Sequence, residues 1–225
     1  YLPDAMLNFL VLLGWSLDDK TEIFSIQNLI DVFTIERIGK SPSIFNTEKL
    51  NWMNSQYIKT SNDSSITSLI ASVLSDYCKI NNIELETPIT QDAITTVLDI
   101  LKERIKTINP EEMWPVCNFF FETPEPNEQQ RLLVKSKASL SSEIYEEAIN
   151  SINSIDDFTE EKIEISLRKL LEKYECKPRD LFGTIRIAIT GKEVSPPLFI
   201  TFEILGKTRS IERMQRFTKY LSVAT

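Results

Sequence analysis

The side chains in this sequence best suited to binding chemistry are concentrated in residues 48–59, which combine cations, amides and an indole ring. Helical spacing places the apolar side chains Leu50, Met53 and Tyr57 on one side of this stretch and turns the polar ones outward. The outward set consists of Lys49, Asn51, Asn54, Gln56 and Lys59, with Trp52 at the border between the two sides. Cations, amides and an aromatic ring on one surface suit a phosphate–sugar backbone. An ordinary amphipathic surface helix with solvated polar groups is the alternative.

Histidine is absent from the chain, and this limits the chemistry available to it. The three cysteines, Cys78, Cys117 and Cys176, lie far apart, so neither a Cys/His zinc site nor a histidine-activated nucleophile is expected. Neither G-x-G-x-x-G nor G-x-x-x-x-G-K-[ST] occurs among the 5 glycines. The sequence therefore predicts no catalytic residue, no metal site and no cofactor within this chain. It predicts three buried free thiols in a reducing compartment.

Length and composition indicate a globular protein. With 225 residues, 42% of them hydrophobic and 26% charged, the chain suits one large domain or two to three small ones. No apolar run reaches about 18 residues, so no membrane span is predicted. The first residue is not methionine and no basic segment precedes an apolar one, which suggests a piece of a longer protein rather than a secreted one.

Charge is distributed unevenly along the sequence. The formal net charge of −8 by itself argues against a nucleic-acid partner. Residues 181–225, however, contain seven lysines and arginines and only three glutamates, a net +4, so residues 1–180 carry −12. A basic end on an acidic body can mark a surface that faces RNA. The alternative is a chance distribution.

Apolar residues at helical spacing predict helices along most of the chain, with linkers at 61–65 and 122–127. The first helix is apolar nearly all round, so it is expected to be buried on most sides and to end at Gly14 through a positive φ. Residues 33–38 are expected to form a short strand or an extended link, and Ser210 to cap the last helix. Three consecutive phenylalanines at 119–121 indicate a core wall or, alternatively, a base-stacking platform.

Several short segments, taken in chain order, form a pattern that resembles a known protein family. They are residues 2–16, 22–24, 33–37, 43–45, 49–58, 186–191, 196–199 and 205–207. The fifth reads K-L-x-W-x-N-x-x-Y-I, and the last three read R-I-A-I-T-G, P-P-L-F and L-G-K. Together they resemble the bacterial-type glutamyl-tRNA synthetases, a class I family, over almost the whole chain and least over about 66–148.

The resemblance implies a mainly α fold with three domains. A small α/β stem-contact region at residues 1–62 would precede two helical-bundle anticodon-binding subdomains, at 63–128 and 129–225. The chain would be the C-terminal, tRNA-binding portion of an enzyme that joins glutamate to tRNA(Glu). The catalytic Rossmann domain of that enzyme, which uses ATP and Mg²⁺, would be its partner outside this chain. The parent enzyme would be a monomer in the bacterial cytoplasm or in an organelle, with no membrane partner.

Site residues follow from the same resemblance. Lys49 and Trp52 match stem-helix positions that face the inner corner of the tRNA near the D stem. Arg104 matches the arginine that reads the third anticodon base and separates C from G. Arg186 matches an anticodon-contacting arginine. The loop that packs on the first anticodon bases is matched by Ser195, Pro196 and Leu198.

A function of a different class stays open at this point. The chain can instead be an acidic helical adaptor that binds proteins and has no role with RNA. The charge of −12 on the first 180 residues and the lack of any catalytic constellation favour this alternative. A titration with tRNA at low salt distinguishes the two functions.

Overall fold

Helices account for all regular secondary structure in the part of the chain that the computed structural model describes. That part comprises residues 1–39, 43–61, 64–135 and 141–220. It contains twelve α-helices, two short 3-10 helices and no strand, so the mainly α prediction is confirmed. None of these described helices is long and apolar enough to cross a membrane.

The chain divides into two compact units. The first combines residues 1–83 with 89–116, and the second combines residues 84–88 with 117–225. The short segment 84–88 therefore belongs to the second unit, although helices of the first unit flank it in sequence. The division into three domains, at about residues 62 and 128, stays a prediction.

The first unit is built around the packing of its first and third helices. Its helices are α1 (Pro3–Leu12), α2 (Ile26–Val32), α3 (Thr47–Thr60), α4 (Ser64–Ile80), α5 (Gln91–Lys102) and α6 (Pro110–Cys117), the last residue of which belongs to the second unit. Asn46 caps α3, because its Oδ1 accepts a hydrogen bond from the backbone N–H of Lys49 at 3.1 Å. Phe9 of α1 packs on Leu50 and Met53 of α3. A second cluster joins α1 to α2 and consists of Trp15, Phe24 and Leu29.

Three sequence-based expectations for this unit are wrong. Of the two alternatives for residues 33–38, the short strand is wrong, because a strand needs a neighbouring ladder and the described residues provide none. Phe33, Thr34 and Ile38 are extended, but Ile35–Arg37 between them form a 3-10 turn. Gly14 does not adopt a positive φ, since the N–H of Trp15 still bonds to the carbonyl of Val11 at 3.0 Å. Nor is α1 buried on most sides: the side chains of Leu7 and Leu10 are 43% and 50% exposed.

The second unit packs its helices around aromatic side chains. Its helices are α7 (Glu128–Lys135), α8 (Ser142–Asn153), α9 (Glu160–Tyr174), α10 (Pro178–Thr190), α11 (Leu198–Leu205) and α12 (Lys207–Thr218). Tyr145 of α8 is fully buried beside Phe217 of α12, with ring centroids 6.2 Å apart. Phe119, Phe120 and Phe121 are all buried, so they form a core wall and not a base-stacking platform.

The structure also tests the predictions for the three cysteines and for the start of the last helix. Cys78, Cys117 and Cys176 are all buried, as predicted, and lie outside any disulfide in the described part of the chain. Ser210 does not cap the last helix, because α12 begins at Lys207 and Ser210 is a buried residue inside it. Gly206 supplies the change of direction instead, with φ 80°, so no separate loop intervenes between α11 and α12.

A buried arginine joins four segments of the second unit. The side chain of Arg213 is only 3% exposed, and its Nη2 lies 2.8 Å from the carboxylate of Glu86. Its guanidinium also donates to the carbonyl oxygens of Phe119, Ile189 and Glu122, at 2.7, 2.8 and 3.1 Å. Because these partners lie in residues 84–88, in residues 119–122 and on α10, the side chain of Arg213 on α12 links parts of the chain that are far apart in sequence.

Gly191 ends α10 in the left-handed region, with φ 66°. A methyl group at this position would come 2.8 Å from Cβ of Pro124. We therefore expect Gly191→Ala to lower the free energy of unfolding by about 1–3 kcal/mol, because left-handed strain and the steric clash add together. Urea denaturation measures the loss. Gly14→Ala is the control, since Gly14 does not have a positive φ and a Cβ added there would meet no neighbouring side chain or distant backbone atom within 4 Å. Equal stability of the two variants would contradict the prediction.

Candidate nucleic-acid interface

The helix α3 carries the first group of candidate residues, and one of its amides has a different role from the one predicted. Asn54 is fully buried, although it was assigned to the outward face. Its Oδ1 accepts from the backbone N–H of Leu2 at 2.8 Å, and its Nδ2 donates to the carbonyl of Lys106 at 2.6 Å. Position 54 lies four residues after the buried Leu50, and this helical spacing was the available signal.

Lys49 and Trp52 lie one turn apart on the accessible side of α3. The Nζ of Lys49 is 2.6 Å from Oε1 of Glu22, in an ion pair whose members are both partly exposed. An exposed pair of this kind contributes about 0–1 kcal/mol, so a phosphate group can replace the carboxylate at little cost. Trp52 is 42% exposed. Together the two side chains offer a point charge and a flat apolar surface to a sugar–phosphate backbone.

Arg104 is exposed in the turn that follows α5. Its neighbours hold this turn in place. Lys102 is buried and donates to the carbonyl of Ser61. The carboxylate of Glu103 lies 2.8 Å from Nζ of Lys59, at the end of α3. The C-terminal end of a helix attracts a cation through the helix dipole. The position of Arg104 after α5 is therefore not by itself evidence that its side chain binds a ligand.

Arg186 is partly buried on α10 and lines a cavity of about 340 Å³ in the second unit. The other lining residues are Leu133, Pro178, Arg179, Phe182, Gly183, Ile187 and Glu193. Small-ligand pockets span roughly 300–1,000 Å³, so this cavity has room for a planar base. Guanidinium groups beside apolar walls suit an unstacked nucleotide, because they can stack on the base and bond to the phosphate.

Arg179 is a candidate that sequence reasoning missed. It lies seven residues before Arg186 on α10, which places both guanidinium groups on the same side of the helix at the same cavity. Phe182, between them, packs edge-on against Phe199 with ring centroids 5.4 Å apart. The spacing of the two arginines was visible in the sequence, but an i, i+7 pair of cations does not by itself indicate a pocket.

The other three predicted contact residues lie in the loop between α10 and α11 and at the first position of α11, and all three are buried. Ser195 is 7% exposed and Leu198 is 4% exposed, and Pro196 is also buried. Val194 and Pro197 are exposed instead, Val194 by 77%. The predicted residues therefore shape the loop from inside, while their neighbours face outward.

The start of this loop is anchored by specific hydrogen bonds. The carbonyl of Gly191 accepts from Nε2 of Gln130 at 2.7 Å. The Nζ of Lys192 donates to Oδ1 of Asn118 at 2.6 Å and lies 5.3 Å from the ring centroid of Phe119. Burial lowers the pKa of Lys192. These contacts fix the loop beside the cavity that Arg186 and Glu193 line.

Most of the basic residues at the end of the sequence are used inside the second unit. Arg213 and Arg209 both pair with Glu86. Lys192 bonds to Asn118, and Lys207 donates to the carbonyl of Ile155 at 2.8 Å. The net charge of +4 on residues 181–225 therefore does not form a basic surface. For binding RNA, the residues at the cavity matter more than the total charge.

Comparison with known proteins identifies the family. The model of the anticodon binding domain matches residues 66–218, and the model of the catalytic domain of class I tRNA synthetases for E and Q matches residues 1–52. The glutamate–tRNA ligase of Dehalococcoides mccartyi is 36% identical over 215 residues, which cover 95% of this chain and 43% of that protein. Glutamate–tRNA ligase 1 of Syntrophus aciditrophicus is 38% identical, covering 98% of this chain and 44% of that protein.

A solved structure has the same fold. The crystal structure of a glutamate tRNA ligase from Elizabethkingia meningosepticum, in complex with its amino acid, matches with a TM-score of 0.80 and 25% identity over 99% of this chain and 42% of that one. The chain thus spans less than half the length of its relatives. The resemblance to glutamyl-tRNA synthetases is confirmed, and since the anticodon-binding model covers more than half of the sequence, the chain belongs to the anticodon-binding domain family.

Proposed function

We propose that this chain is the tRNA-binding part of a glutamate–tRNA ligase. The observation that carries the proposal is the arginine-lined cavity of the second unit, which lies within residues matched by the anticodon binding domain. Arg179 and Arg186 supply positive charge there, and Pro178 and Phe182 supply apolar walls. This combination suits a splayed anticodon base, which is recognised by stacking and by contacts to its phosphate.

The first unit would hold the body of the tRNA. Lys49 would exchange Glu22 for a phosphate near the D stem, and Trp52 would pack on ribose. Arg104 would read the third anticodon base. Ser195, Pro196 and Leu198 would keep the loop in shape, so that bases contact its outward residues.

Catalysis by the parent ligase would take place outside this chain. Ligation of glutamate to tRNA needs ATP and Mg²⁺, but the described residues include no group of three or more Cys, Asp or Glu side chains arranged to hold a metal ion. No Gly-rich phosphate-binding motif is present either. We therefore assign both cofactors to the rest of the ligase. Because the relatives are bacterial, we place the enzyme in the bacterial cytoplasm or a derived organelle, as a monomer.

A gel-shift titration at low salt tests the proposed function. The chain should bind a tRNA(Glu) transcript more tightly than the same transcript with its anticodon replaced, with an affinity that falls as salt rises. Equal affinity for both transcripts would place the contact outside the anticodon. Failure to bind either transcript would instead favour the acidic protein-binding adaptor.

Arg104→Gln should relax selection at the third anticodon base, because a guanidinium fork distinguishes C from G by its donors and glutamine does so less well. The measurement is the ratio of dissociation constants for two transcripts that differ only by C or G at that base. We expect the ratio to fall by about 5- to 100-fold, in line with about 1–3 kcal/mol for a specific base contact. Lys106→Gln, an exposed substitution two residues away, is the control. An unchanged ratio in Arg104→Gln would exclude the discriminating role.

A further inference from the structure

The turn that carries Arg104 is held from one side by the C-terminal half of α3 and the residue that follows this helix. Three polar contacts join that part of the first unit to residues 102–106. They are Asn54 Nδ2 to the Lys106 carbonyl at 2.6 Å, Lys59 Nζ to the Glu103 carboxylate at 2.8 Å, and Lys102 Nζ to the Ser61 carbonyl. The contacts fall within two residues of Arg104 on both sides of it, so α3 fixes the backbone from which the Arg104 side chain projects.

Asn54 makes the most specific of these contacts. Its side chain is fully buried, and both ends of its amide are bonded. The Oδ1 atom accepts from the backbone N–H of Leu2 at 2.8 Å, while Nδ2 donates to the carbonyl of Lys106. One buried amide therefore connects the start of α1 with the turn after α5. Removal of this amide would leave two backbone groups without their partner, so the turn could not keep its place unchanged.

The rest of the turn is also fixed. The backbone N–H of Arg104 donates to the carbonyl of Leu101 at 2.9 Å, and the side chain of Ile105 is buried. On the far side, the carboxylate of Glu112 accepts from the backbone N–H and the hydroxyl of Thr107, at 3.1 and 2.6 Å. The exposed guanidinium of Arg104 is thus mounted on a rigid backbone. A side chain that distinguishes one base from another needs such support, because its donors must be placed to within about 0.5 Å.

Lys59 has an electrostatic effect in addition to its mechanical one. Glu103 directly precedes Arg104, and its carboxylate would repel the phosphates of an approaching RNA. The ammonium of Lys59 pairs with that carboxylate and offsets its charge. Both members of the pair are partly exposed, so the contact stabilises the fold little. Its effect is therefore expected on the charge and the position of the turn rather than on the stability of the unit.

We infer that Asn54 and Lys59 are positioning residues that set the selectivity of Arg104 for the third anticodon base. The inference rests on the proposed function, since it needs Arg104 to read that base. Asn54 acts from the interior through the Lys106 carbonyl, and Lys59 acts through Glu103. Because α3 also carries the candidate stem contacts, the helix that would hold the body of the tRNA also fixes the residue that would inspect its anticodon.

The test uses the full-length ligase that contains this sequence. It measures the ratio of dissociation constants for two tRNA(Glu) transcripts that differ only by C or G at the third anticodon base. Asn54→Leu keeps the approximate shape of the side chain but removes both hydrogen bonds. We expect the ratio to fall by about 3- to 30-fold, because the guanidinium of Arg104 is still present but displaced. Asn51→Leu is the matched control, since Asn51 lies on the same helix and bonds to the hydroxyl of Tyr1.

Lys59→Met is the second variant, because it breaks an exposed contact and leaves the buried residues in place. The ratio should fall by about two- to fivefold, in line with the energy of an exposed ion pair. Lys59→Arg keeps a cation opposite Glu103 and should restore the wild-type ratio. Lys79→Met is the control, since it removes an exposed pair with Asp76 from α4 of the same unit and should leave the ratio unchanged.

The ratio separates a positioning role from a merely structural one. The inference is supported if Asn54→Leu and Lys59→Met lower the ratio and the two controls do not. A lower midpoint of thermal unfolding with a wild-type ratio in both variants would overturn it, because the contacts would then only stabilise the fold. If Asn54→Leu does not fold, Lys59→Met and its rescue by Lys59→Arg decide the matter.

Arg104→Gln, measured in parallel, distinguishes a failure of this inference from a failure of the proposed function. If Arg104→Gln lowers the ratio while Asn54→Leu and Lys59→Met leave it unchanged, Arg104 reads the base and only the positioning role is wrong. If Arg104→Gln also leaves the ratio unchanged, the reading role of Arg104 is wrong and the positioning role falls with it.

Discussion

Replacement of Arg213 by methionine is expected to lower the free energy of unfolding of the second unit by about 3–5 kcal/mol, the largest stability effect that we predict for a single side chain. Methionine fills a similar volume but donates no hydrogen bond. The substitution would leave the carboxylate of Glu86 without its closest cation and three backbone carbonyls without a donor. Buried acceptors that lose their donors account for the size of the effect.

Arg216→Met is the matched control for this substitution. Arg216 lies three residues further along α12 and is exposed, so the same chemical change should alter stability by less than about 0.5 kcal/mol. Urea denaturation followed by circular dichroism, with hydrogen exchange of the α10 and α12 amides, measures the difference. A loss equal to that of Arg216→Met would show that the buried contacts of Arg213 do not stabilise the unit.

Acid should remove part of the same stabilisation. Burial alone would raise the pKa of Glu86, but hydrogen bonds from Arg213 and Thr123 and the charges of Arg213 and Arg209 outweigh it, so the pKa is lowered from its ordinary value of 4.5. The contribution of Glu86 is therefore present above pH 4.5 and is lost as the pH falls through the lowered pKa. Glu86→Gln should flatten this acid slope. An unchanged slope would contradict the pairing.

Arg186→Ala is expected to have the largest effect on binding, with a loss of about 5- to 100-fold in affinity for tRNA(Glu). Arg186 is partly buried at the cavity, where a phosphate or base contact is less screened than at the open surface. If the contact is to phosphate, the slope of log affinity against log salt should become shallower by about 0.7, the value for one contact to a single strand. Filter binding across a series of salt concentrations gives both quantities.

Lys162→Ala is the control, since it also removes one positive charge from the second unit. Lys162 lies on α9 in an exposed pair with Asp157 and does not line the cavity. We expect affinity to change by less than about twofold in this variant, because the effect of an exposed charge is largely screened. Equal losses in Arg186→Ala and Lys162→Ala would mean that only the total charge matters and would remove Arg186 from the site.

The helical class and much of the local structure could be predicted from the sequence alone, because both depend on residues within one or two turns. Apolar spacing identified most of the helices, and Asn46 and Gly191 are residue types that favour the start and the end of a helix, respectively. The family resemblance also rested on local strings of residues. The site residues on α3 and α10 were accessible to the same reasoning, since they lie on helices whose positions were predicted.

Whether an individual polar side chain is buried or exposed could be determined only from the tertiary structure. Arg213 and Arg216 lie one turn apart on α12 and contribute the same charge to the helix. Arg213 is nevertheless buried, whereas Arg216 is exposed. The difference is due to Glu86, which is 127 residues away in sequence and reaches Arg213 through a segment of the second unit. Asn54 is a similar case, since its partners are Leu2 and the carbonyl of Lys106. The periodicity of the sequence shows which face of a helix is apolar. Burial of a polar group depends instead on whether a distant segment supplies its hydrogen bonds, and the position of that segment is known only from the packed structure.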